Sequence, residues 1–327
     1  MPRPRVIDHQ AHWYTPARLD QVTGREDFPR ARRDEEGGYL YEEAPGEVSR
    51  LSPRFFDLDL QLAAMDGFDI DHAVISPNLL GEVTWMPVEE ATAVTELINE
   101  ETARAQREHP DRLTGLAMLP MQDGEAALGA LDRAIGELDL RGVCVLSNIA
   151  GRPIVNDDTR AVFARVAELD VPLFLHPSHR SMAHPAGIGE TIDLGLGWMF
   201  DTAAAALALV YEGVLDQNPS LTVVHPHLGG VLPYVTGRVA PIGAGAPIEH
   251  DLHHYLRTNF IVDSTGKTPG ALQMAARTYG EDRIVFATDN PWVNGPGTLG
   301  LMRTDGDEEL VHRVLRVNRV PNLRLAG

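Results

Sequence analysis

Cysteine is almost absent: Cys144 is the single one in 327 residues. A lone thiol cannot form an internal disulfide, so the fold must rest on packing, and a reducing, cytoplasmic compartment is expected. Basic residues are also scarce, with 28 Lys and Arg against 47 Asp and Glu for a net charge of −19. That field repels nucleic acid and anionic membrane surfaces, and neither is expected as a partner. No block of like charge is long enough to act as a binding tail. Long apolar runs are missing. "TAAAALALVYEGVL" (202–215) is too short and too Ala-rich for a membrane span. The opening "MPRPRVIDHQ" has no apolar core of a signal peptide. Internal repeats and low-complexity linkers are absent. Nucleotide loops are absent too: "STGKTPG" (264–270) has Ile261 where a phosphate loop needs its first glycine. Ser178 in "HPSH" lacks the flanking glycines of a nucleophile elbow, and Cys144 sits inside an apolar run, as a buried small residue does.

Hydrophobic residues make up 43% of the chain, enough for a sizeable core. Short apolar runs recur at 5–8, 72–76, 114–119, 142–146, 172–176, 221–225, 259–264 and 283–289. Their length and flanks suit buried strands, and several are apolar at every position, as in parallel strands covered on both faces. Longer amphipathic stretches separate them. "PVEEATAVTELINEETARAQREHP" has apolar residues at helical spacing. "DGEAALGALDRAIGELDL" and "NDDTRAVFARVAELD" open on Asp or Asn, residues that cap helix N-termini. "TPGALQMAARTYG" ends on a C-capping glycine, and "DGDEELVHRVLRVNRV" has acids first and arginines last, matching the helix dipole. Eight strands alternating with helices predict an α/β fold, a distorted (β/α)8 TIM barrel, over a single domain 1–327. Two stretches break the rhythm: an insertion at about 17–54 after the first strand, and a long loop at about 177–200. Loops of that length usually carry function.

A barrel places its chemistry at the C-terminal strand ends. Gln10 and His12 fall there on the first strand, His176 on the fifth, His225 and His227 on the sixth and Asp289 on the eighth. Any one of thirteen histidines could fall at a strand end by chance and merely satisfy a core hydrogen bond. Four strands contributing together would converge on one small volume, and imidazole with carboxylate suits a divalent metal. His9 alternates to the opposite side, toward the helix layer, unless the strand bulges. His225 is expected to be a buried, hydrogen-bonded histidine.

The segments "VIDHQAHWYTP" (6–16), "HPDRLTGLAMLPMQD" (109–123), "LRGVCVLSN" (140–148), "VPLFLHPSH" (171–179), "GVLDQNPSLTVVHPHLGGVLPYVTGR" (213–238), "YLRTNFIVDS" (255–264) and "DRIVFATDNPW" (282–292) span most of the chain. Together they resemble the amidohydrolase superfamily, in the branch of aminocarboxymuconate-semialdehyde decarboxylase. The resemblance implies a metal set of Gln10, His12, His176 and Asp289, with Gln10 where the family's first metal histidine stands. It implies catalytic roles for His227 and Asp289. The expected cofactor is one divalent ion, Zn or Mn. Gln is a neutral oxygen donor, which weakens Zn²⁺ and relatively favours the harder Mn²⁺. Loss of the metal is the other consequence an amide at that position can have. Substrate-binding roles are expected for Arg50, a carboxylate clamp by family analogy, for His179, and for Trp198 and Trp292 as aromatic walls. The expected activity is metal-dependent decarboxylation of a small unsaturated or aromatic carboxylic acid. Metal-dependent hydrolysis of a lactone, cyclic amide or ester is the first alternative, and a metal-free barrel with a binding role the second. A homodimer is among the assemblies the resemblance implies.

Overall fold

The computed structural model describes residues 5–326 apart from 78–82, 183–188, 267, 293–294 and 306. The strands in chain order are β1 Ile7–Trp13, β2 Arg30–Arg33, β3 Tyr39–Ala44, β4 Glu47–Leu51, β5 His72–Pro77, β6 Leu113–Gly115, β7 Ala117–Met118, β8 Val143–Leu146, β9 Asn148–Ile149, β10 Arg152–Pro153, β11 Leu173–His176, β12 Val223–His225, β13 Phe260–Asp263 and β14 Ile284–Val285. The chain is mixed α/β, and its main pairings are parallel. One sheet runs β1-β5-β6 and a second runs β14-β13-β12-β11-β8-β7. The third apolar run is therefore two short strands that break at Leu116.

Hydrogen bonds join the edges of these two sheets. Leu116 N donates to Ile75 O at 3.0 Å on one side. On the other, His9 N donates to Phe286 O at 2.9 Å and Asp289 N to Gln10 O at 3.0 Å. Asp8 adds a side-chain clasp there, its Oδ1 accepting from Thr288 N at 3.0 Å. Ile7, Val74, Leu116, Cys144, Phe174, Val224, Ile261 and Val285, one from each apolar run, form a single buried cluster with Val320 from the C-terminal tail. The alternate strand residues, such as Val143, Val145, Leu173, Leu175 and Val223, pack with Leu131, Val162 and Phe163 of the helices. Strands buried on both faces leave no polar face, which is why they read as unbroken apolar runs. Full burial of each such Leu or Phe contributes roughly 1.5–3 kcal/mol.

The helices start where their caps stand. Asp123 Oδ1 accepts from Ala126 N at 2.9 Å before the helix Gly124–Gly136. Asn156 and Thr159 form a reciprocal capping box before Asp157–Glu168. Two stretches differ from the sequence expectation. Residues 17–54 are ordered: a short helix, Pro16–Val22, precedes an antiparallel sheet of order β2-β3-β4. Tyr14, Leu19, Val22, Tyr39, Tyr41, Leu51 and Phe55 give it a core of its own. The stretch 177–200 is not loop to its end, because helical structure begins at Glu190 and continues to Tyr211. Glu190–Tyr211 is long and apolar enough to cross a membrane by length and composition. Its Ala206, Leu209 and Val210 pack into the main core, as in a core helix.

Candidate active site

β1 carries the first candidates. Its register against β5 shifts between Asp8 and Ala11, a β-bulge, so simple alternation fails over His9 and Gln10. His9 is buried, with Nδ1 3.1 Å from Phe286 O. Burial first, then the charges of Arg319 and His72, bears on its pKa, which falls to about 3. Gln10 is also buried, and its amide Nε2 has no hydrogen-bond partner. His12 is fully buried; Ser76 Oγ sits 2.8 Å from its Nδ1, which turns Nε2 to within 3.1 Å of Asp289 Oδ1.

His176 ends β11 beside it. The His12 and His176 rings meet edge to face at 4.9 Å. His176 Nδ1 lies 2.8 Å from Pro177 O, so as the protonated nitrogen it donates there and leaves Nε2 as a lone-pair donor. Burial, then the charge of His12, pushes its pKa down to about 3, so the ring stays neutral. Asp289 holds a left-handed backbone at φ 60°, which directs its side chain toward the histidines. Burial opposes its ionisation, but the His12 hydrogen bond and the charges of His12, His227 and His176 hold its carboxyl below the ordinary value.

His227 opens the turn His227–Gly229, and it and Leu228 are left-handed at φ 57° and 56°. Asp263, at the end of β13, restrains this unfavourable backbone: its Oδ1 accepts from His227 N at 3.0 Å. Gly230, at φ 58°, has no alternative, since a Cβ there would lie 2.6 Å from Met199 O. His227 Nδ1 is buried without a hydrogen-bond partner. Asp263→Ala leaves Thr265 N without its acceptor and His227 N with only Thr265 Oγ1, 3.2 Å away. The expected cost is about 1–3 kcal/mol in chemical denaturation, with kcat falling more than KM rises. His225 is fully buried, its Nδ1 3.5 Å from Tyr279 Oη, and burial lowers its pKa to about 3.

A cavity of about 240 Å³ opens over these groups, with His176, His227 and Asp289 on its wall. His179, Trp198 and Trp292 line it as well. Trp198 Nε1 donates to His179 O at 3.1 Å, which ties the two together. Trp292 packs on Phe55 with ring centroids 4.8 Å apart. Sequence reasoning missed Tyr14, Tyr41, Glu43, Ser49 and Glu190, which also line the cavity. A signal existed for three of them: "YLYEEAPGEVSRL" alternates about a Pro-Gly turn and reads as a hairpin.

Arg50 is not brought to this cavity. Its guanidinium is 55% exposed and pairs with Asp34 at 3.1 Å and Glu36 at 2.9 Å. The physical reason is register: Arg50 stands opposite Leu40 at the solvent side of the sheet, beside the Asp34 turn. Arg50→Ala should therefore leave KM within about twofold, as surface changes usually do. A rise in KM of ten times or more would return Arg50 to the substrate. His184, the other histidine that the sequence places on the loop after the fifth strand and offers as a substrate contact, lies outside the described residues.

Among the described residues no group of three or more His, Cys, Asp or Glu is close enough to count as a formed metal cluster. The donor chemistry nevertheless fits a divalent ion. His12 Nε2 is buried and faces a carboxylate oxygen at 3.1 Å, and His176 stands against it with its Nδ1 already engaged. A buried amide without a partner at Gln10 is a polar group awaiting a ligand, and a flip of that amide would present its oxygen.

The amidohydrolase family model matches residues 7–318. A gamma-resorcylate decarboxylase of Polaromonas sp. strain JS666 is 31% identical over 269 residues, covering 75% of this chain and 80% of the relative. Two solved structures share the fold. The IDCase of Metarhizium anisopliae in apo form has a TM-score of 0.85 at 22% identity, covering 99% of this chain and 98% of its own. The dihydroxybenzoic acid decarboxylase of Polaromonas sp. JS666, with bound manganese and 2-nitroresorcinol, has a TM-score of 0.77 at 24% identity, covering 95% and 94%. The chain is an enzyme of the amidohydrolase family.

Proposed function

We propose that this chain is a metal-dependent decarboxylase of a small aromatic carboxylic acid. The observation that carries the reading is His176, His227 and Asp289 on the wall of one cavity, with buried His12 against Asp289 and His176 behind it, in a chain whose relatives decarboxylate aromatic acids. In this reading the eight parallel strand runs close a distorted (β/α)8 barrel forming one domain over 1–327, with the β2-β3-β4 sheet as an insertion over its mouth. The edge hydrogen bonds and the eight-residue inner cluster support that closure.

Gln10, His12, His176 and Asp289 would hold one divalent ion. Manganese is favoured over zinc, because one donor is an amide oxygen and a related structure contains manganese. When bound, the ion supplies positive charge that orients the substrate carboxylate and stabilises the charge developing as CO₂ leaves. Trp198 and Trp292 wall the ring and exclude water. The bond from ring carbon to carboxylate breaks, CO₂ departs, and the electron pair left on the ring carbon takes a proton. Asp289, ionised at rest, would first take up a proton from solvent entering the cavity and then pass it to that carbon, with His227 beside it on the cavity wall. A small-molecule carboxylate is thus the partner of this site. A homodimer and a cytoplasmic location belong to the same reading. The exposed Ile192, Leu196 and Phe200, four residues apart, supply apolar surface for the first, and the free, buried Cys144 accords with the second. The test is CO₂ release from 2,6-dihydroxybenzoate and related phenolic acids by protein loaded with manganese or zinc. Release that requires metal is expected. Metal-dependent cleavage of a lactone or ester, without CO₂ from any acid, would replace this reading with hydrolysis.

A further inference from the structure

Gln10, His12 and Asp289, all proposed metal donors, sit on two chain segments that meet edge to edge: 8–12 on β1 and 288–290 after β14. Main-chain bonds lace the segments together. Asp289 N donates to Gln10 O at 3.0 Å, and His12 N donates to Asn290 O at 2.7 Å. Asp8 adds a second lacing, made of side chains. It is buried, and its Oδ1 accepts from Gln10 N at 3.2 Å on its own strand and from Thr288 N at 3.0 Å across the edge. Its Oδ2 accepts from the buried Thr288 hydroxyl. That hydroxyl accepts in turn from Asn290 N at 3.0 Å, so it spans Asp289 and its left-handed backbone at φ 60°. With its proton committed to Asp8, the Thr288 oxygen keeps a lone pair for Asn290 N. The register of β1 against β5 skips His9 and Gln10, so pairing with β5 does not fix Gln10. The Asp8 carboxyl supplies that restraint.

We propose that Asp8 is a positioning residue for the metal centre: through Thr288 it sets how Gln10 and His12 stand relative to Asp289, and so how tightly the ion is held. This rests on the metal-dependent reading above, and it places control of the donor geometry in two residues absent from the described lining of the cavity. Outer partners of metal ligands carry roughly 10–100-fold in metal affinity.

Thr288→Val keeps the shape of the side chain and removes its hydroxyl, whereas Thr288→Ser keeps the hydroxyl. Asp8→Asn keeps an oxygen for the two backbone N–H groups but turns an amide donor toward the Thr288 hydroxyl. The full chain and each variant are stripped of metal and titrated with Mn²⁺ well below their melting temperatures, with free ion counted by electron paramagnetic resonance. The visible spectrum of each protein loaded with Co²⁺ reports the arrangement of the donors. Mn²⁺ affinity should fall about tenfold or more in Thr288→Val and in Asp8→Asn, with altered Co²⁺ bands, and return to the native value in Thr288→Ser. A purely structural role would lower the melting temperature but leave the affinity and the bands of the folded protein unchanged. That result in Thr288→Val, or in Asp8→Asn should Thr288→Val not fold, would overturn the proposal and leave the metal-dependent reading standing. Binding in Thr288→Ser as weak as in Thr288→Val would overturn it too. A native protein that binds neither ion would defeat both.

Discussion

Replacing His176 with alanine is expected to remove the bound metal and, with it, CO₂ release. The side chain is buried at the end of β11, its Nδ1 engaged by the Pro177 carbonyl and its ring against His12. Removing even an outer partner of a metal ligand weakens binding by roughly 10–100-fold, so loss of a ligand should exceed that. Several kcal/mol of charge stabilisation would go, which corresponds to a fall in kcat/KM on the order of 10³-fold. Elemental analysis and a CO₂ assay read the two effects. A buried His→Ala change also opens a void, so thermal melting of the metal-free wild type and variant is compared. Similar metal-free stability with metal lost is the expected pattern. A variant that keeps its metal and its rate would remove His176 from the site.

The second large effect is at Asp289. Asparagine tolerates the left-handed backbone that Asp289 adopts at φ 60°, so Asp289→Asn should keep the turn and the Trp292 N–H bond to its carbonyl. What it loses is the charge facing His12 Nε2 at 3.1 Å and the ability to carry a proton. A fall in kcat of about 10²–10⁴-fold is expected, the range for a positioned general acid or base. Exchange of the product's ring hydrogen in deuterated water isolates the proton step, since that reverse transfer needs no CO₂. It should vanish in Asp289→Asn. Survival there, with loss in His227→Asn, would give the proton to His227 instead; asparagine suits the φ of 57° at that position too.

Much of the scaffold was legible because it rests on local signals. The parallel strands are buried on both faces, so their apolar runs stand out, and Asp123 and Asn156 announce the helices they cap. His12, His176, His227 and Asp289 could be brought together because strand order alone delivers their ends to one place. The β2-β3-β4 sheet was hidden by its charges. Arg30, Arg32, Arg33 and Glu47 dominate its strands, although Tyr39 and Tyr41 alternate toward a buried core and Gly46 makes the turn at φ 83°. Arg50 looked available because nothing local reveals its pairing across the sheet with Asp34, sixteen positions earlier. The helix from Glu190 was obscured by Gly195 and Gly197, each costing a helix about 1 kcal/mol. Tertiary bonds offset this: Asp193 accepts from Ser181, and Asp201 accepts from Ser147 and from Asn148 Nδ2 at 2.7 Å. The bulge at His9 and Gln10 depends on how β1 meets two neighbours, which no pattern within β1 encodes.

The most direct test of the whole account is the metal content of the purified protein, measured by elemental mass spectrometry beside Gln10→His. The account predicts about one divalent ion per chain in the native protein, with manganese over zinc, and tighter retention with a shift toward zinc in Gln10→His. No metal in the native protein, with about one equivalent in Gln10→His, would contradict it. Gln10 would then mark a disarmed site, and a metal-free function would take the place of decarboxylation.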